Sequence, residues 1–345
     1  MKNKKAIINE FGNPSVIQIV EETIPEPKQF EARIKIEAST VSATDIFIRK
    51  GIYPLLKQKP PFTLGYDFVG IVDKVGKDVT NVKVGDRVCS IVMVGGNADF
   101  ICINSAELSI VPKDVDAKEA ACFALSGITA YQMFTHFAKV KQGQRILIHG
   151  GSGAVGDTLL QLGKLHHCEM VTTASISKHE HIKRYGAIAI DYHSPNYFAD
   201  LKKNSGDGFD AIFDFTNQTS FNNDMKLLKK GGTLVTYAVF TSSLTIEKKN
   251  FFNFMAFGLD FGKMMMKLVF WNKFSGKNAV FYGSSDGKKA EPARHQADLN
   301  KLFQLLKDGY LKPTIYKVFT LDEVMKAHQL LQDGKVQGQI IISNN

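Results

Sequence analysis

A glycine-rich turn follows a short apolar run near the middle of the chain, and its residue types point to phosphate binding. The run Arg145-Ile-Leu-Ile-His149 leads into Gly150-Gly-Ser-Gly-Ala-Val-Gly156, which contains Gly-x-Gly-x-x-Gly from residue 151. Glycines in this pattern allow a tight turn, a close approach of the backbone to a phosphate, and close packing of a helix on a strand. The spacing therefore predicts a backbone cradle for the pyrophosphate of a dinucleotide.

The residues after the turn predict a helix that faces the anion. Apolar residues recur at helical spacing from Val155 to His166, so the free N–H groups of a helix start would point into the turn. Strand and helix patterns flank the turn in the order that nucleotide-binding folds require. An ordinary turn between a strand and a helix is the alternative. The expected cofactor contacts in the turn are Gly150, Gly151, Ser152, Gly153, Ala154, Val155 and Gly156.

The composition is typical of a soluble globular protein with more than one domain. The 345 residues are 44% hydrophobic and 22% charged, and this length favours two domains. The formal net charge is +9, but the lysines are spread out and no nucleic-acid motif is present, so no nucleic-acid partner is expected. The 4 cysteines lack the spacing of a disulfide framework or a structural zinc site. The first residues contain no apolar run of signal-peptide length, so a cytoplasmic location is expected.

The order of patterns along the chain predicts two kinds of domain. Residues 6–41 indicate strands, a turn-rich β region continues to residue 88, and this half shows no helical periodicity, which favours a compact β-barrel. A helical pair follows at 117–134, and strands and helices then alternate, which predicts a doubly wound parallel sheet. The strands are expected at 145–150, 170–174, 187–192, 209–215, 232–239 and 278–283, and the helices at 154–166, 177–185, 196–204 and 219–230. A helix at 321–333 precedes a strand at 339–343 that is expected to return to the first domain.

Six motifs in this order resemble those of one enzyme superfamily. They are Phe11-Gly-x-Pro14, the segment from Thr44 to Gly51, Gly65-Tyr-Asp-Phe-Val-Gly70, Val84-Gly-Asp-Arg-Val88, Gly127-Ile-Thr-Ala130 and the glycine turn. The combination is similar to the medium-chain dehydrogenase/reductase superfamily, and within it to the zinc-free quinone oxidoreductase branch. The resemblance implies an α/β protein with a GroES-like β-barrel catalytic domain at 1–126 and 284–345 and a Rossmann NADP-binding domain at 127–283. It also implies a cofactor in the cleft and, since homodimers are common in the family, a homodimer.

Two segments differ from the zinc-dependent relatives that this chain resembles. Those relatives carry a Cys in the segment that reads Ser42-Ala-Thr-Asp45 here, and Gly-His-Glu where this chain has Gly65-Tyr-Asp67. Catalytic zinc needs three protein ligands that include such donors, so no metal is expected.

The end of the second Rossmann strand bears on the choice of cofactor. A carboxylate there would bind the adenosine ribose of NADH, but Val171-Thr-Thr-Ala-Ser175 ends without one and Lys178 follows. A hydroxyl and a cation suit a 2′-phosphate. The resemblance implies that Lys178 and Tyr192 match a Lys and a Tyr near the adenosine phosphate, so Ser175, Lys178 and Tyr192 are expected to bind NADPH. Asp191 keeps NADH open as the less favoured cofactor, and an exposed helix residue is the alternative for Lys178.

Further cofactor contacts are expected in this domain. The resemblance places Thr129 near the nicotinamide half. Asn217, Tyr237, Tyr282 and Gly283 fall at the carboxyl ends of later strands, where ligands bind in open α/β sheets. Packing is the alternative for each of them.

The missing zinc ligands bear on the substrate. Without a metal to polarise a carbonyl, the acceptor must take hydride readily by itself, as quinones and α,β-unsaturated carbonyls do. The resemblance implies that Ser42, Asp45 and Tyr53 line the catalytic site, with Tyr66 nearby in sequence. Tyr53 is expected to supply a proton or a hydrogen bond to the developing oxyanion, with an aromatic residue at the barrel rim as the alternative. Asp45 is expected to orient its neighbours as an acceptor, with Arg49 paired to it one turn later.

Three functions remain open from the sequence. The favoured one is reduction of quinones with NADPH, and the nearest alternative is reduction of activated C=C bonds in enals or enones. Ser42 stands where relatives often have Asn, and Phe47 where some have Tyr, which leaves fewer polar contacts around the nicotinamide and keeps the choice of acceptor open. The third is an NADPH-binding, membrane-peripheral protein with little turnover, suggested by the Phe- and Met-rich segment 251–271. That segment is interpreted as a helix packed over the active-site cleft or in a subunit contact, because charges near its middle argue against a helix spanning a bilayer.

Overall fold

The chain forms two compact units. The computed structural model describes residues 2–215, 221–237, 251–283 and 291–344. One unit contains residues 2–126 and 291–344, and the other contains the described residues from 127 to 283. The domain limits expected from the sequence remain a proposal, because their second boundary borders residues 284–290, which lie outside the described part of the chain.

The first unit begins with short strands. These are β1 (Asn3–Ile8), β2 (Ile17–Glu22), β3 (Glu31–Val41), β4 (Phe62–Thr63), β5 (Asp67–Val75), β6 (Arg87–Ile91), β7 (Phe100–Asn104) and β8 (Ser109–Ile110). Two α-helices belong to the same segment, α1 (Ala43–Arg49) and α2 (Ala117–Cys122). Single 3-10 turns lie at Pro14–Val16 and Ser105–Glu107.

Helix α1 contradicts the expectation of no helix in this half of the chain. Ser42 caps it, since the backbone N–H and the hydroxyl of Ser42 donate to Asp45 Oδ2 at 2.9 and 2.6 Å, and the Asp45 N–H donates back to the Ser42 hydroxyl at 3.4 Å. This Ser-x-x-Asp capping box is itself a sequence signal for a helix start. Residues 45–49 are all buried, so the helix shows no amphipathic period, which is why its apolar pattern did not predict it.

The second unit is a parallel sheet covered by helices. Its strands are β9 (Arg145–Ile148), β10 (Glu169–Thr173), β11 (Ile188–Ile190), β12 (Phe209–Asp214), β13 (Leu228–Tyr237) and β14 (Asn278–Tyr282). Its helices are α3 (Ile128–Gln132), α4 (Ala154–Leu165), α5 (His179–Lys183), α6 (Tyr197–Asn204), α7 (Phe221–Leu227) and α8 (Phe251–Phe274). One π-helical turn precedes α3 at Phe123–Gly127 and another follows it at Met133–Phe137.

The strand order confirms the doubly wound sheet. The strands lie in the order β11-β10-β9-β12-β13-β14, and every neighbouring pair is parallel. The chain builds outward from β9 to β11 and then crosses back to β12 on the other side of β9. This reversal creates the switch point at which open α/β sheets bind ligands.

The helix predicted at 219–230 is wrong at its carboxyl end. Helix α7 ends at Leu227, and Leu228 already belongs to β13, where it pairs with Phe209 of β12. The register shifts after this pair, and Gly231 has a φ of +79°. The apolar spacing of the two leucines fits a helix, but strand pairing and burial in the core of the second unit override it.

The chain then returns to the first unit. The returning elements are α9 (Pro292–Lys307), β15 (Ile315–Thr320), a 3-10 turn at Leu321–Glu323, α10 (Val324–Gln332) and β16 (Gln339–Ser343). Strand β16 pairs with β3 in antiparallel fashion and with β15 in parallel, which confirms the expected return. The larger sheet has the order β15-β16-β3-β5-β6-β8 with β7 also on β3, and a smaller sheet has the order β2-β1-β4.

Helix α8 packs on the last strand of the second unit and leaves an apolar face exposed. The Asn272 side chain donates to the Ala279 carbonyl at 2.9 Å and accepts from its N–H at 2.6 Å, and Met264 and Leu268 are buried. Other apolar side chains of the helix are exposed, namely Leu259, Met265, Met266, Val269, Phe270 and Phe274. Within the described ranges, none of the helices has the length and apolar character needed to span a membrane.

Candidate active site

The glycine turn joins the end of β9 to the start of α4, at the switch point of the sheet. Gly150 has a φ of +71°, a left-handed conformation that favours glycine. A Cβ atom on Gly156 would lie 2.3 Å from the Gly150 carbonyl oxygen, so only glycine lets α4 pack this closely on the turn. Gly153 is the N-cap, and no side chain caps the first N–H groups of the helix. These groups are the donors that bind phosphate at a helix start.

The other predicted residues of the turn lie in the same place. Gly151 and Ser152 are buried, Gly153 is exposed, and Ala154 and Val155 are half-buried at the start of α4. The structure thus brings together the whole stretch from Gly150 to Gly156 as one backbone cradle.

The residues predicted for the adenosine phosphate follow two neighbouring strands. Thr173 of β10 pairs with Ile190 of β11, so Ser175, Lys178 and Tyr192 all leave the sheet at its carboxyl edge. Lys178 is half-buried, and burial lowers the pKa of its ammonium group because removal from water disfavours the charge. A phosphate beside this group would offset that desolvation.

Asp191, whose carboxylate could instead hold the ribose of NADH, makes a hydrogen bond within its own turn. Asp191 Oδ1 accepts the backbone N–H of His193 at 3.1 Å, as an aspartate in a turn commonly does. Tyr192 beside it is 49% exposed.

The predicted residues at the later strands are mostly buried. Thr129 in α3 is buried, and the Tyr282 hydroxyl donates to Gln132 Oε1 of the same helix at 2.8 Å. Tyr237 pairs with Tyr282 in register, and burial, with the charge of Asp214, raises its pKa. Burial and the use of the Tyr282 hydroxyl support the packing alternative for the two tyrosines.

Two further predicted positions complete this group. Gly283 follows β14 directly and is half-buried. Asn217 lies outside the described residues.

A buried histidine next to the turn was not predicted from the sequence. His149 immediately precedes Gly150, and its Nε2 lies 2.9 Å from Asp224 Oδ1 while its Nδ1 lies 3.1 Å from the Tyr197 hydroxyl. Burial lowers the pKa of His149, but the charge and hydrogen bond of Asp224 and the charge of Asp214 outweigh this and raise it to about 9. The sequence signal for this group is a histidine and an aspartate, His149 and Asp214, at the carboxyl ends of two predicted strands.

The same cluster has the composition of a metal site. One ligand atom each of His149, Asp214 and Asp224 lies within 4.8 Å of the others. The direct bond from the His149 ring to Asp224 and the raised pKa of His149 fit an imidazolium paired with a carboxylate. We therefore interpret the cluster as a buried ion pair beneath the glycine turn.

In the first unit the predicted catalytic residues form one hydrogen-bonded chain. Asp45 Oδ2 accepts from Ser42, and Asp45 Oδ1 accepts the backbone N–H of Tyr66 at 2.9 Å. The hydroxyls of Tyr66 and Tyr53 are 3.1 Å apart, and their rings meet edge to face at 5.8 Å. Burial raises the pKa of Asp45 to about 6, against the opposing effect of these hydrogen bonds. Asp45 accepts hydrogen bonds in both contacts, and its orienting role stays a prediction.

The expected pairing of Arg49 with Asp45 is wrong. Arg49 is fully buried, and its Nε donates to the Gly12 carbonyl at 3.1 Å while its Nη2 donates to Gln332 Oε1. The capping box turns the Asp45 carboxylate back toward Ser42, away from the carboxyl end of α1. Burial lowers the pKa of Arg49 to about 10, and only the charge of Asp45 acts on it in the opposite direction.

Comparisons with known proteins agree with this architecture. The family described as alcohol dehydrogenase GroES-like domain matches residues 28–149, and the family described as zinc-binding dehydrogenase matches residues 186–342. A quinone oxidoreductase of Pongo abelii is 31% identical over 96% of this chain and 95% of its own length. The synaptic vesicle membrane protein VAT-1 homolog-like of Homo sapiens is 28% identical over 98% of this chain and 80% of its own length.

A solved structure shows the same fold. The quinone oxidoreductase of Escherichia coli complexed with NADPH has a TM-score of 0.84 to this chain, at 22% identity and with 99% of each chain covered. Together with the GroES-like match, this confirms the predicted combination of a GroES-like domain and a Rossmann domain.

The second family description names zinc, and the residues do not fit a catalytic zinc ion. Ser42 and Tyr66 offer hydroxyls where the resemblance calls for a thiolate and an imidazole. Asp67 has a suitable side chain, but its oxygens accept the N–H of Thr40 at 2.6 Å and the Thr40 hydroxyl. Burial, with the charge of Asp45, raises the pKa of Asp67 to about 7.

Proposed function

Because the chain belongs to the medium-chain dehydrogenase/reductase superfamily as a quinone oxidoreductase-like protein, we propose that it transfers hydride from NADPH to quinones without a metal ion. The observation that carries the proposal is the start of α4, where uncapped N–H groups and a glycine turn meet at the switch point of the sheet. This arrangement suits the pyrophosphate of a dinucleotide.

The residues after β10 support NADPH as the cofactor. Ser175 and Lys178 offer a hydroxyl and an ammonium group where an NADH-specific protein has a carboxylate. The Escherichia coli protein with the same fold is complexed with NADPH. When bound, the nicotinamide supplies a hydride, and the protein supplies binding, orientation and exclusion of water.

The hydrogen-bonded chain of the first unit supports reduction at a carbonyl oxygen. A quinone that gains one hydride and one proton becomes a hydroquinone, so negative charge develops on oxygen during transfer. We assign the Tyr53 hydroxyl as the donor to that oxygen, with Tyr66 bonded behind it. Asp45 holds Ser42 and the backbone of Tyr66 in place and is a positioning residue.

Acceptor assays test the reaction. The purified protein is mixed with NADPH and either a p-quinone or an α,β-unsaturated aldehyde, and cofactor oxidation is followed by absorbance. Faster oxidation with the quinone supports the proposal, and replacement of Tyr53 by Phe should slow it. Oxidation with the unsaturated aldehyde alone would favour the second candidate, reduction of activated C=C bonds. No oxidation with either acceptor class would contradict both.

A third candidate is an NADPH-binding protein that docks on membranes and turns over little. The exposed apolar side chains of α8 favour it, and one of the relatives is named as a synaptic vesicle membrane protein. Sedimentation with anionic vesicles at low salt tests it, with Phe270→Ser as the variant expected to reduce binding. Absence of the protein from the vesicle pellet would dismiss this candidate. The expected homodimer also remains a proposal, which sedimentation velocity tests.

A further inference from the structure

A buried polar cluster joins the first turn of α4 to α5. Asp157 directly follows Gly156 and is 2% exposed. Its Oδ1 lies 2.8 Å from His181 Nε2 and accepts from the Tyr185 hydroxyl at 2.8 Å, and its Oδ2 accepts from Gln161 Nε2 at 2.9 Å. The Tyr185 hydroxyl and the Gln161 amide donate to this carboxylate, and we assign His181 Nε2 as the third donor. Together they hold Asp157 in one orientation.

The cluster reaches the segment that carries Lys178. Helix α5 begins at His179, directly after Lys178, and contains His181. The turn before it is fixed by a bond from the Lys178 N–H to the Ser175 carbonyl at 2.9 Å and by His179 Nε2 at 3.0 Å from the Ala174 carbonyl. The backbone on both sides of Lys178 is therefore held, and Asp157 provides the link from this segment to α4.

Burial strengthens the hydrogen bonds from Asp157 to His181 and Tyr185. His181 is 8% exposed, and its ring meets that of Tyr185 edge to face at 5.3 Å. A buried carboxylate that loses its donors is costly, and a buried network that is fully satisfied is rigid. A change at Asp157 should therefore move α5, while the backbone of the glycine turn depends mainly on its own glycines.

We propose that Asp157, acting through His181 and Tyr185, is a positioning residue that sets the preference for NADPH over NADH. The inference rests on the proposed cofactor function. The two cofactors differ only in the 2′-phosphate, and Asp157 holds the segment whose lysine is placed to meet that group. The glycine turn would bind the pyrophosphate that both cofactors share.

Calorimetric titration of the full chain with NADPH and with NADH tests the proposal. Asp157→Asn keeps the shape of the side chain but removes its charge and one acceptor, and should weaken NADPH binding about tenfold and NADH binding less than about threefold. The control is Lys164→Met, which removes a bond from Lys164 Nζ to the Arg184 carbonyl at 3.3 Å, another contact between α4 and the segment after α5. It should leave both affinities unchanged.

A second pair of variants tests the route through the lysine. If Asp157 acts by positioning Lys178, then Asp157→Asn should weaken NADPH binding much less in a Lys178→Ala background than in the wild type. Tyr185→Phe removes a single donor and should shift the preference in the same direction by a smaller factor. It carries the test if Asp157→Asn fails to fold, which circular dichroism would show.

The outcomes separate this inference from the proposed function. Equal weakening of both cofactors by Asp157→Asn, or full additivity with Lys178→Ala, would overturn the positioning role while leaving NADPH binding intact. A wild-type protein that binds neither nucleotide would overturn the proposed function and this inference with it.

Discussion

Two buried aspartates of the first unit have pKa values well above that of an exposed aspartate. Removal from water is the main cause for both, and it raises the pKa of Asp45 to about 6 and that of Asp67 to about 7. The hydrogen bonds from Ser42 and Thr40 work in the opposite direction, and the charge of Asp45 adds to the shift of Asp67. Carboxyls of this kind make stability depend on pH.

Replacing Asp67 by Asn should flatten that dependence. The folded protein keeps a proton on Asp67 that the unfolded chain releases above pH 3.8, so the free energy of unfolding falls as the pH rises from 3.8 toward about 7. Asparagine does not titrate, so the wild type should lose about 2 kcal/mol relative to Asp67→Asn between about pH 5 and about pH 8. Urea unfolding measures this. Glu10→Gln, at an exposed carboxylate of the same unit, is the control, and an identical slope in both variants would refute the raised pKa.

Lys178 carries the prediction on cofactor choice at this scale. Lys178→Ala should weaken NADPH binding roughly tenfold or more and NADH binding little, because an ammonium-to-phosphate bond is charge-assisted. Titration calorimetry with both nucleotides measures the change. Lys183→Ala is the matched control, since Lys183 lies on α5 and pairs with Glu180 at 2.5 Å. Equal losses for both nucleotides would rule out a contact with the 2′-phosphate.

Functional residues that are consecutive in the sequence are easier to predict than residues that are distant in the sequence and come together only on folding. The glycine turn was visible as consecutive residues, and the grouping of Ser42, Asp45 and Tyr53 came from a family resemblance. The bond of His149 to Asp224 and that of Asp157 to His181 join residues 75 and 24 positions apart. Nothing in a single sequence reveals such pairings before the strands are placed.

At the scale of elements, the starts of α1 and α4 are each made by the local sequence. Helix α4 begins at Gly153 without a side-chain cap, which leaves its first N–H groups for an anion. Helix α1 begins at a complete capping box, in which the Ser42 side chain accepts the N–H of Asp45. The two starts therefore have opposite uses. The first leaves donors for a ligand, and the second holds the side chains of Ser42 and Asp45 against each other.

Gly156→Ala should remove binding of both nucleotides together. The added Cβ would lie 2.3 Å from the Gly150 carbonyl oxygen, so α4 must move away from the turn that holds the pyrophosphate. Losses of at least about tenfold for NADPH and NADH alike are expected, in contrast to Lys178→Ala. Gly262→Ala is the control because a Cβ there meets nothing within 4 Å. Near-normal binding by Gly156→Ala would mean that the turn does not contact the cofactor.

Periodicity predicted the parallel strands well because they alternate with amphipathic helices. It failed where burial was uniform, as in α1, and where a strand followed a helix without a break, as at Leu227 and Leu228. At Leu228 the deciding interaction is the pairing with Phe209 of β12, whereas α1 carried a local signal in its capping box. Helix α9 was also not predicted, although Pro292 at its first turn is a common helix start.

At the scale of the whole molecule, the glycine turn after β9 and the predicted cofactor residues after β10 and β11 lie at one edge of one sheet. We predict that NADPH slows hydrogen exchange in peptides that cover 145–156 and 171–178 and leaves the β1–β2 hairpin unchanged. Exchange measured by mass spectrometry with and without NADPH provides the check, and Lys178→Ala should abolish the protection at 171–178 at a matched NADPH concentration. Protection confined to residues outside the sheet edge would argue for a different site.

The order of the motifs predicted the two-domain architecture because each motif indicates a particular local structure at its position in the chain. The pairing of distant acids with histidines depends instead on which side chains the folded chain buries together. These pairings follow from the folded molecule and could not be predicted from residue spacing.

The pairing of β16 with β3 has a consequence for how the protein is made. Strand β3 emerges early from the ribosome, but its neighbour in the sheet is synthesised some three hundred residues later. The parallel sheet between them has all of its strands within one continuous segment, so it can fold while translation is still under way. During that interval the exposed edge of β3 has to be kept from other nascent chains, so chaperone dependence should be concentrated in the part of the protein that is translated first.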